Sequence, residues 1–326
     1  MNWRTSIGAA PLLLVLALSP AVAQSDARDF PTRPIRIVVP FPAGGPADII
    51  SRVVAQRLSE RWAQAVVVEN RPGANTAIGA QAVARAAPDG HTLLAGMDTT
   101  LVMNPLLAAN LPYDVKDFAP ITLLTRNMSL MVVRSDGPAS VRELIAQAKA
   151  NPGKLNMGAG TITSRLGALA FLKAAGLDVT LIPYKGSAEI VHGLLSGSVD
   201  FALDSTASSF PQIQSGNFRA LAKYANRPLP ALPNLPNLAD AAGLPDLGES
   251  TTWIGLLAPA GTPDAIVQKI QREVAAIYAD AAIMAKLENA GVFAVSSTPE
   301  EFRAFIRQEI ERWAKVIRDN PGIRAD

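Results

Sequence analysis

Hydrophobic positions along this chain alternate between two spacings. Ile35-Arg36-Ile37-Val38-Val39 is short, β-branched and largely apolar, the pattern of a buried strand, and Pro40 ends it. From Ala47 onward Ile50, Val53, Val54, Leu58 and Trp62 share one helical face. Val66 to Val68 predicts the next strand, Ala77 to Ala87 a helix, and Thr92 to Ala95 a third strand. This β-α-β-α-β order predicts a parallel sheet with helices on both faces.

A second series begins at Leu130 to Val133. Strands are expected at Leu155 to Met157, Val179 to Ile182, Val199 to Leu203 and Phe218 to Tyr224. Helices are expected at Val141 to Ala150, stopped by Asn151-Pro152-Gly153, and at Ser164 to Ala175 and Ala188 to Ser196. Arg227 to Pro236 is proline-rich and reads as an irregular loop. The tail returns to helix at Asp264 to Tyr278, with Pro263 at its start, and at Phe302 to Ile317.

Met1 to Ala23 has the form of a secretory signal: Arg4, a leucine-rich apolar stretch from Ile7 to Leu18, and Ala21-Val22-Ala23 before Gln24. The apolar run is short for a helix that must cross about 30 Å of hydrocarbon. The expected address is therefore the periplasm, after cleavage. Composition removes further classes. There are no cysteines, which excludes disulfides, Cys-ligated zinc, iron–sulfur clusters and thiol catalysis. With Lys+Arg at 30 and Asp+Glu at 28, the charge balance points to no nucleic-acid partner. Only His91 and His192 are available for metal or acid–base work; His91, in a Pro-Asp-Gly-His turn, reads as a surface or turn residue and His192, on a helix, as structural. No G-x-S-x-G elbow, dinucleotide fingerprint or H-E-x-x-H motif is present, so no enzyme, catalytic residue, metal or cofactor is expected.

The most informative stretch is Ile37 to Asp48, where a buried strand ends, Gly44-Gly45 turns, and a helix begins with Pro46. Ligands of open α/β sheets bind at the carboxyl ends of strands. A helix N-terminus placed there offers free N–H groups to an anion, and glycines let the backbone approach. Asp48 falls in the first helical turn, where its carboxylate can hold the loop. The same segment reads equally well as a tight β-α turn.

Pro31-Thr32-Arg33-Pro34-Ile35-Arg36-Ile37-Val38-Val39-Pro40-Phe41-Pro42-Ala43-Gly44-Gly45 followed by Asp48 resembles the opening of the Bug-type receptors, the extracytoplasmic solute-binding proteins of tripartite tricarboxylate transporters. Val68-Glu69-Asn70-Arg71-Pro72-Gly73-Ala74, Pro88-Asp89-Gly90-His91-Thr92-Leu93-Leu94, Asn104-Pro105, Pro183-Tyr184-Lys185-Gly186 and Trp253 to Pro263 are similar to later family segments, in order. The resemblance implies an α/β fold: a two-lobed periplasmic-binding-protein clamshell of two doubly wound sheets joined by two crossover segments. The crossings would lie near Asn127 to Val132 and Gly248 to Ile254. One lobe would comprise 24–127 and 254–326, the other 128–253.

The resemblance also implies a ligand, a small carboxylate, and partners, the membrane subunits of a cognate transporter, with the receptor itself a monomer. One carboxylate would sit against Phe41, Ala43, Gly44 and Gly45, with Asp48 beside them, and Thr99 and Thr100 would supply hydroxyls. The second lobe departs from the family pattern. In Gly158-Ala159-Gly160-Thr161-Ile162-Thr163-Ser164-Arg165 the loop is slightly shortened, and Arg165 stands where the family usually has histidine. Gly160, Thr161 and Ser164 are expected at the ligand. Arg165 either forks onto a second carboxylate or is a solvated surface residue. Asp204 matches a family aspartate at a strand end, where it takes an ammonium or hydroxyl or caps the following helix. A receptor reporting its ligand to a membrane sensor would share this fold and cleft.

Overall fold

The computed structural model describes residues 28–226, 228–247 and 249–319. The expected signal segment and Gly248 of the second expected crossing lie outside the described residues.

In chain order the first part comprises β1 (Ile35–Val39), α1 (Pro46–Trp62), β2 (Val66–Asn70), α2 (Ala77–Ala84) and β3 (Thr92–Met97). A one-turn π-helix (Thr99–Met103) and α3 (Asn104–Leu107) follow, then β4 (Phe118–Arg134). The second part holds α4 (Val141–Ala150), β5 (Asn156–Ala159), α5 (Ile162–Ala175), β6 (Thr180–Pro183), α6 (Ser187–Ser196), β7 (Phe201–Ser205), α7 (Thr206–Gln214), β8 (Phe218–Lys223) and α8 (Leu238–Ala242). The chain then returns through β9 (Thr251–Pro259) to α9 (Asp264–Tyr278), α10 (Ala281–Asn289) and α11 (Pro299–Asp319).

The apolar run of β1 is explained by burial on both faces. Ile35, Ile37 and Val39 enter one hydrophobic cluster with α1 and α9, while Val38 enters another with α2 and α11. Strands β2, β1 and β3 are parallel, as expected. The sheet is nevertheless mixed, because β9 runs antiparallel to both β3 and β4. The second sheet repeats this: β6, β5 and β7 are parallel, and β4 lies antiparallel to β7 and β8. The antiparallel neighbours are what a purely parallel reading missed. They arise where strands shared between lobes enter a sheet from the other side.

Strand β4 belongs to both sheets. It pairs with β9 from Phe118 to Met128 and with β7 and β8 from Ser129 onward. Seventeen residues at about 3.3 Å each make a rod of roughly 55 Å through the molecule. The chain returns at Thr251, paired with Met128 at the start of β9. Apolar contact also crosses the divide: Ile162 and Leu166 of α5 join the cluster of Trp253, Phe302 and Trp313. The lobes are thus closed on each other.

Candidate functional site

Four helices end their N-termini on one cavity between the lobes. α1 brings Gly45 and Pro46, α5 brings Gly160, Thr161 and Ser164, α6 brings Gly186 and Ser187, and α7 brings Asp204 and Ser205. Each helix follows a strand, so its start lies at the strand's carboxyl end. Local sequence sets each start. Gly45 is the extended N-cap residue of α1 with proline directly after it. Thr161 caps α5 by accepting the Ser164 N–H at 3.1 Å, and the Ser164 hydroxyl accepts the Gly160 N–H at 3.1 Å. Met97 of β3, Ser129 of β4 and Thr252 of β9 complete the lining.

The cavity is tight, about 40 Å³, with room for a compact solute. Among the described residues no lysine, arginine or histidine lines it. The lining therefore draws its positive potential from backbone dipoles, each equivalent to roughly half a charge at its N-terminus. A second cavity of about 350 Å³ shares Phe41, Pro42, Gly160 and Thr161 with the first and adds Thr76, Thr99, Tyr184 and Lys185.

Asp204 is the buried acid of the first cavity, 2% exposed. The Ser209 hydroxyl donates to its Oδ2 at 2.7 Å, while no hydrogen bond of ordinary geometry reaches Oδ1. Burial pushes its carboxyl up to about 6, partly offset by the hydroxyls of Ser187 and Ser209 and the Ser205 N–H. The cavity's other acid, Glu189, is exposed at the rim and accepts the Lys185 N–H at 3.0 Å.

Of the residues expected from sequence, Phe41, Gly45, Gly160, Thr161, Ser164 and Asp204 line the first cavity, and Thr99 lines the second. Five line neither. Ala43 and Gly44 are exposed on the loop, with Gly44 held at φ +82°. A Cβ on Gly44 would lie 3.8 Å from that of Ala188 in the facing lobe. Asp48 is fully committed to the loop: it accepts the Gly44 N–H at 3.0 Å, Arg52 Nε at 3.0 Å and Asn70 Nδ2 at 3.0 Å. Burial raises its pKa, but Arg52, Gly44 and Asn70 outweigh burial and hold it below the usual range. Thr100 is turned into the core by the π-helix, and its carbonyl accepts the Tyr113 hydroxyl at 2.6 Å.

Arg165 is the fifth. It sits one helical step, about 100°, past Ser164 and so leaves the face that carries Thr161 and Ser164. It is half-buried, its Nε has no partner, and burial lowers its pKa. It lines neither cavity in the closed molecule. Ser187, Ala188, Ser205 and Thr252 were not foreseen. Gly186-Ser187 ahead of a helix repeats the signal of Gly160-Thr161, and that repetition marks the position.

This arrangement defines a solute-binding protein of the two-lobed periplasmic type. Residues 50–321 match the model of the tripartite tricarboxylate transporter family receptor, and the chain belongs to that family. It is similar to Protein BugT of Bordetella pertussis, 34% identical over 94% of this chain and 95% of the relative. It is also similar to the solved structure of R. palustris Rpa4515 with adipate: TM-score 0.84, 34% identity, covering 89% of this chain and 98% of that one. MatC from Rhodopseudomonas palustris with bound malate gives TM-score 0.80 at 29% identity, covering 88% and 100%. The family consists of solute-binding receptors, and the chain is not an enzyme. Among the described residues no helix is long and apolar enough to cross a membrane.

Proposed function

We propose that this chain captures a small carboxylate in the periplasm and delivers it to a tripartite tricarboxylate-type membrane transporter. The lobes that close on the ligand would be 24–127 with 254–326, and 128–253. The observation that carries this reading is the convergence of four helix N-termini on a cavity that, among the described residues, no cationic side chain lines. Free first-turn N–H groups and dipoles favour an anion there by roughly 0.3–1 kcal/mol per helix, and by up to ~2 kcal/mol where partly buried. Together they rival one charged hydrogen bond pair without adding a fixed cation. The adipate and malate named with the two R. palustris structures are small carboxylates, the class such a site would take.

Isothermal titration of small carboxylic acids against their methyl esters and primary amides tests the reading. Acids should bind and the neutral analogues should not. Equal binding of both would remove the anion site. Uptake of the bound acid, compared in cells with and without the chain, then tests delivery.

A further inference from the structure

Asp98 directly follows β3 and precedes the π-helix, and none of its surface is exposed. Its cover comes from both lobes. The Thr163 hydroxyl of α5 donates to Oδ2. Ile162 and Leu166 of the same helix pack into one cluster with Leu101, Trp253 and Phe302. Oδ1 has no partner. Among the described residues no ion pair reaches this carboxyl. Glu309 and Arg312 of α11 act on it through space and are bound to each other at 2.8 Å. β3, the π-helix and β9 carry no ionisable side chain. Of the basic residues of α5, Arg165 leaves its Nε unpartnered and Lys173 lies in the last turn. A carboxyl so enclosed, with one side-chain donor and no cation in contact, is disfavoured when charged and relieved when protonated.

We propose that closure of the two lobes is coupled to proton uptake by Asp98, so that the molecule shuts more firmly in acid and loosens as pH rises. Opening withdraws α5, and with it Thr163, Ile162 and Leu166, so water reaches the carboxyl and returns it toward its ordinary state. The sign follows from the two ends of that movement. In the closed molecule burial holds the carboxyl up at about 7 against an ordinary 3.8, with the Thr163 hydroxyl and the Thr99 N–H offsetting part of the rise. Between those values the closed form binds a proton that the open form has released, so falling pH favours closure. Asp204, the acid of the ligand cavity, is also raised, to about 6, but its hydroxyl partners Ser187 and Ser209 come from its own lobe and stay with it on opening. The coupling belongs to the hinge itself. It goes beyond carboxylate capture and holds for whatever solute the cleft takes.

The test uses the full mature chain, cleared of bound solute, and small-angle scattering between pH 5 and pH 8 with no ligand added. The radius of gyration should fall as pH falls, with the ratio of closed to open molecules changing by up to roughly tenfold per pH unit, the limit for one proton. Asp98→Asn, checked for an unchanged circular dichroism spectrum, should make the radius independent of pH over this range. Asp204→Asn should keep the dependence. Thr163→Val retains the carboxyl but removes the donor that favours its charged form, so the transition should persist and move to higher pH. This variant tests the coupling even where Asp98→Asn fails to fold. A wild-type radius that does not change with pH overturns the proposal. So does a dependence that survives Asp98→Asn, one that disappears in Asp204→Asn, or a midpoint that Thr163→Val leaves in place. None of these outcomes bears on carboxylate capture, because no ligand is present.

Discussion

The Thr163 hydroxyl, in the first turn of α5, donates to Asp98 Oδ2 at the end of β3. Both residues are wholly buried, and the bond joins the two lobes. Asp98 Oδ1 has no partner, so Thr163 is the side-chain donor that reaches this carboxyl. A bond of this kind exists only while the lobes are shut, and it biases a hinge toward closure by its own differential energy.

Thr163→Val keeps the shape of the side chain and removes that donor. Closure should then weaken by about 1–3 kcal/mol, the cost of leaving a buried polar group without its partner. Small-angle scattering of the ligand-free variant should give a larger radius of gyration than the wild type, and ligand affinity should fall. A variant that scatters identically and binds equally would show that closure does not depend on this bond.

Asp98 also gives the molecule a pH dependence of defined sign. Burial pushes its carboxyl from 3.8 up to about 7, with the Thr163 hydroxyl and Thr99 N–H offsetting part of the rise and Glu309 adding to it against Arg312. Between those values the folded chain holds a proton that the unfolded chain has released. Asp98 therefore costs stability progressively as pH rises from about 4 to about 7, and the cost is complete above that. Asp98→Asn should remove this component. The melting temperature of the variant minus that of the wild type should increase from pH 5 to pH 8. A difference that stays flat would place the titration elsewhere.

The β1–α1 loop was legible in sequence because its signals are local: a β-branched run, three prolines, two glycines and an acid in the first turn. The same holds for the start of α5. Strand β4 was legible only in its second half. Thr122, Thr125, Asn127 and Ser129 interrupt its apolar run, and all four are buried, paired inside rather than facing water. Polar residues buried on a shared strand defeat any period-two reading. Asp98 and Thr163 lie 65 positions apart, and no local pattern links them. Asp48 and Arg165 show a different limit. Sequence placed both beside the site, but only the hydrogen bonds of one and the helical phase of the other decide what they touch.

The glycine pair of the first loop should separate under substitution. Gly44 sits at φ +82°, where a side chain costs on the order of 1–2 kcal/mol, and Gly44→Val would also push methyl groups toward Ala188. Gly45 has an ordinary negative φ, and the nearest atom to a Cβ there is the Pro42 carbonyl oxygen at 3.8 Å. Gly44→Val should lower the melting temperature and hinder closure. Gly45→Ala should leave stability nearly unchanged, so any loss of carboxylate affinity in it reports contact with the ligand. Equal melting temperatures for the two variants would contradict the backbone argument.

A last prediction concerns the join between β9 and α11. Gly255 lies in β9 between Ile254 and Leu256, and a Cβ there would come within 2.0 Å of Phe302 Cζ and 2.5 Å of its Cε1. The Phe302 ring is fully buried and packs edge-on against Trp253 at 5.6 Å between centroids, so it has nowhere simple to go. Gly255→Ala should therefore destabilise the fold by about 1–3 kcal/mol through overpacking, although alanine is ordinarily at least as good in a strand as glycine. Shortening the ring should relieve the clash. In urea denaturation the Gly255→Ala, Phe302→Leu double variant should lose less stability than the sum of the two single losses, with a coupling of about 0.5–3 kcal/mol. Additive losses would mean that the two positions do not press on each other, and the seat of α11 on the sheet would have to be explained by its remaining apolar face, Phe305, Ile306 and Trp313.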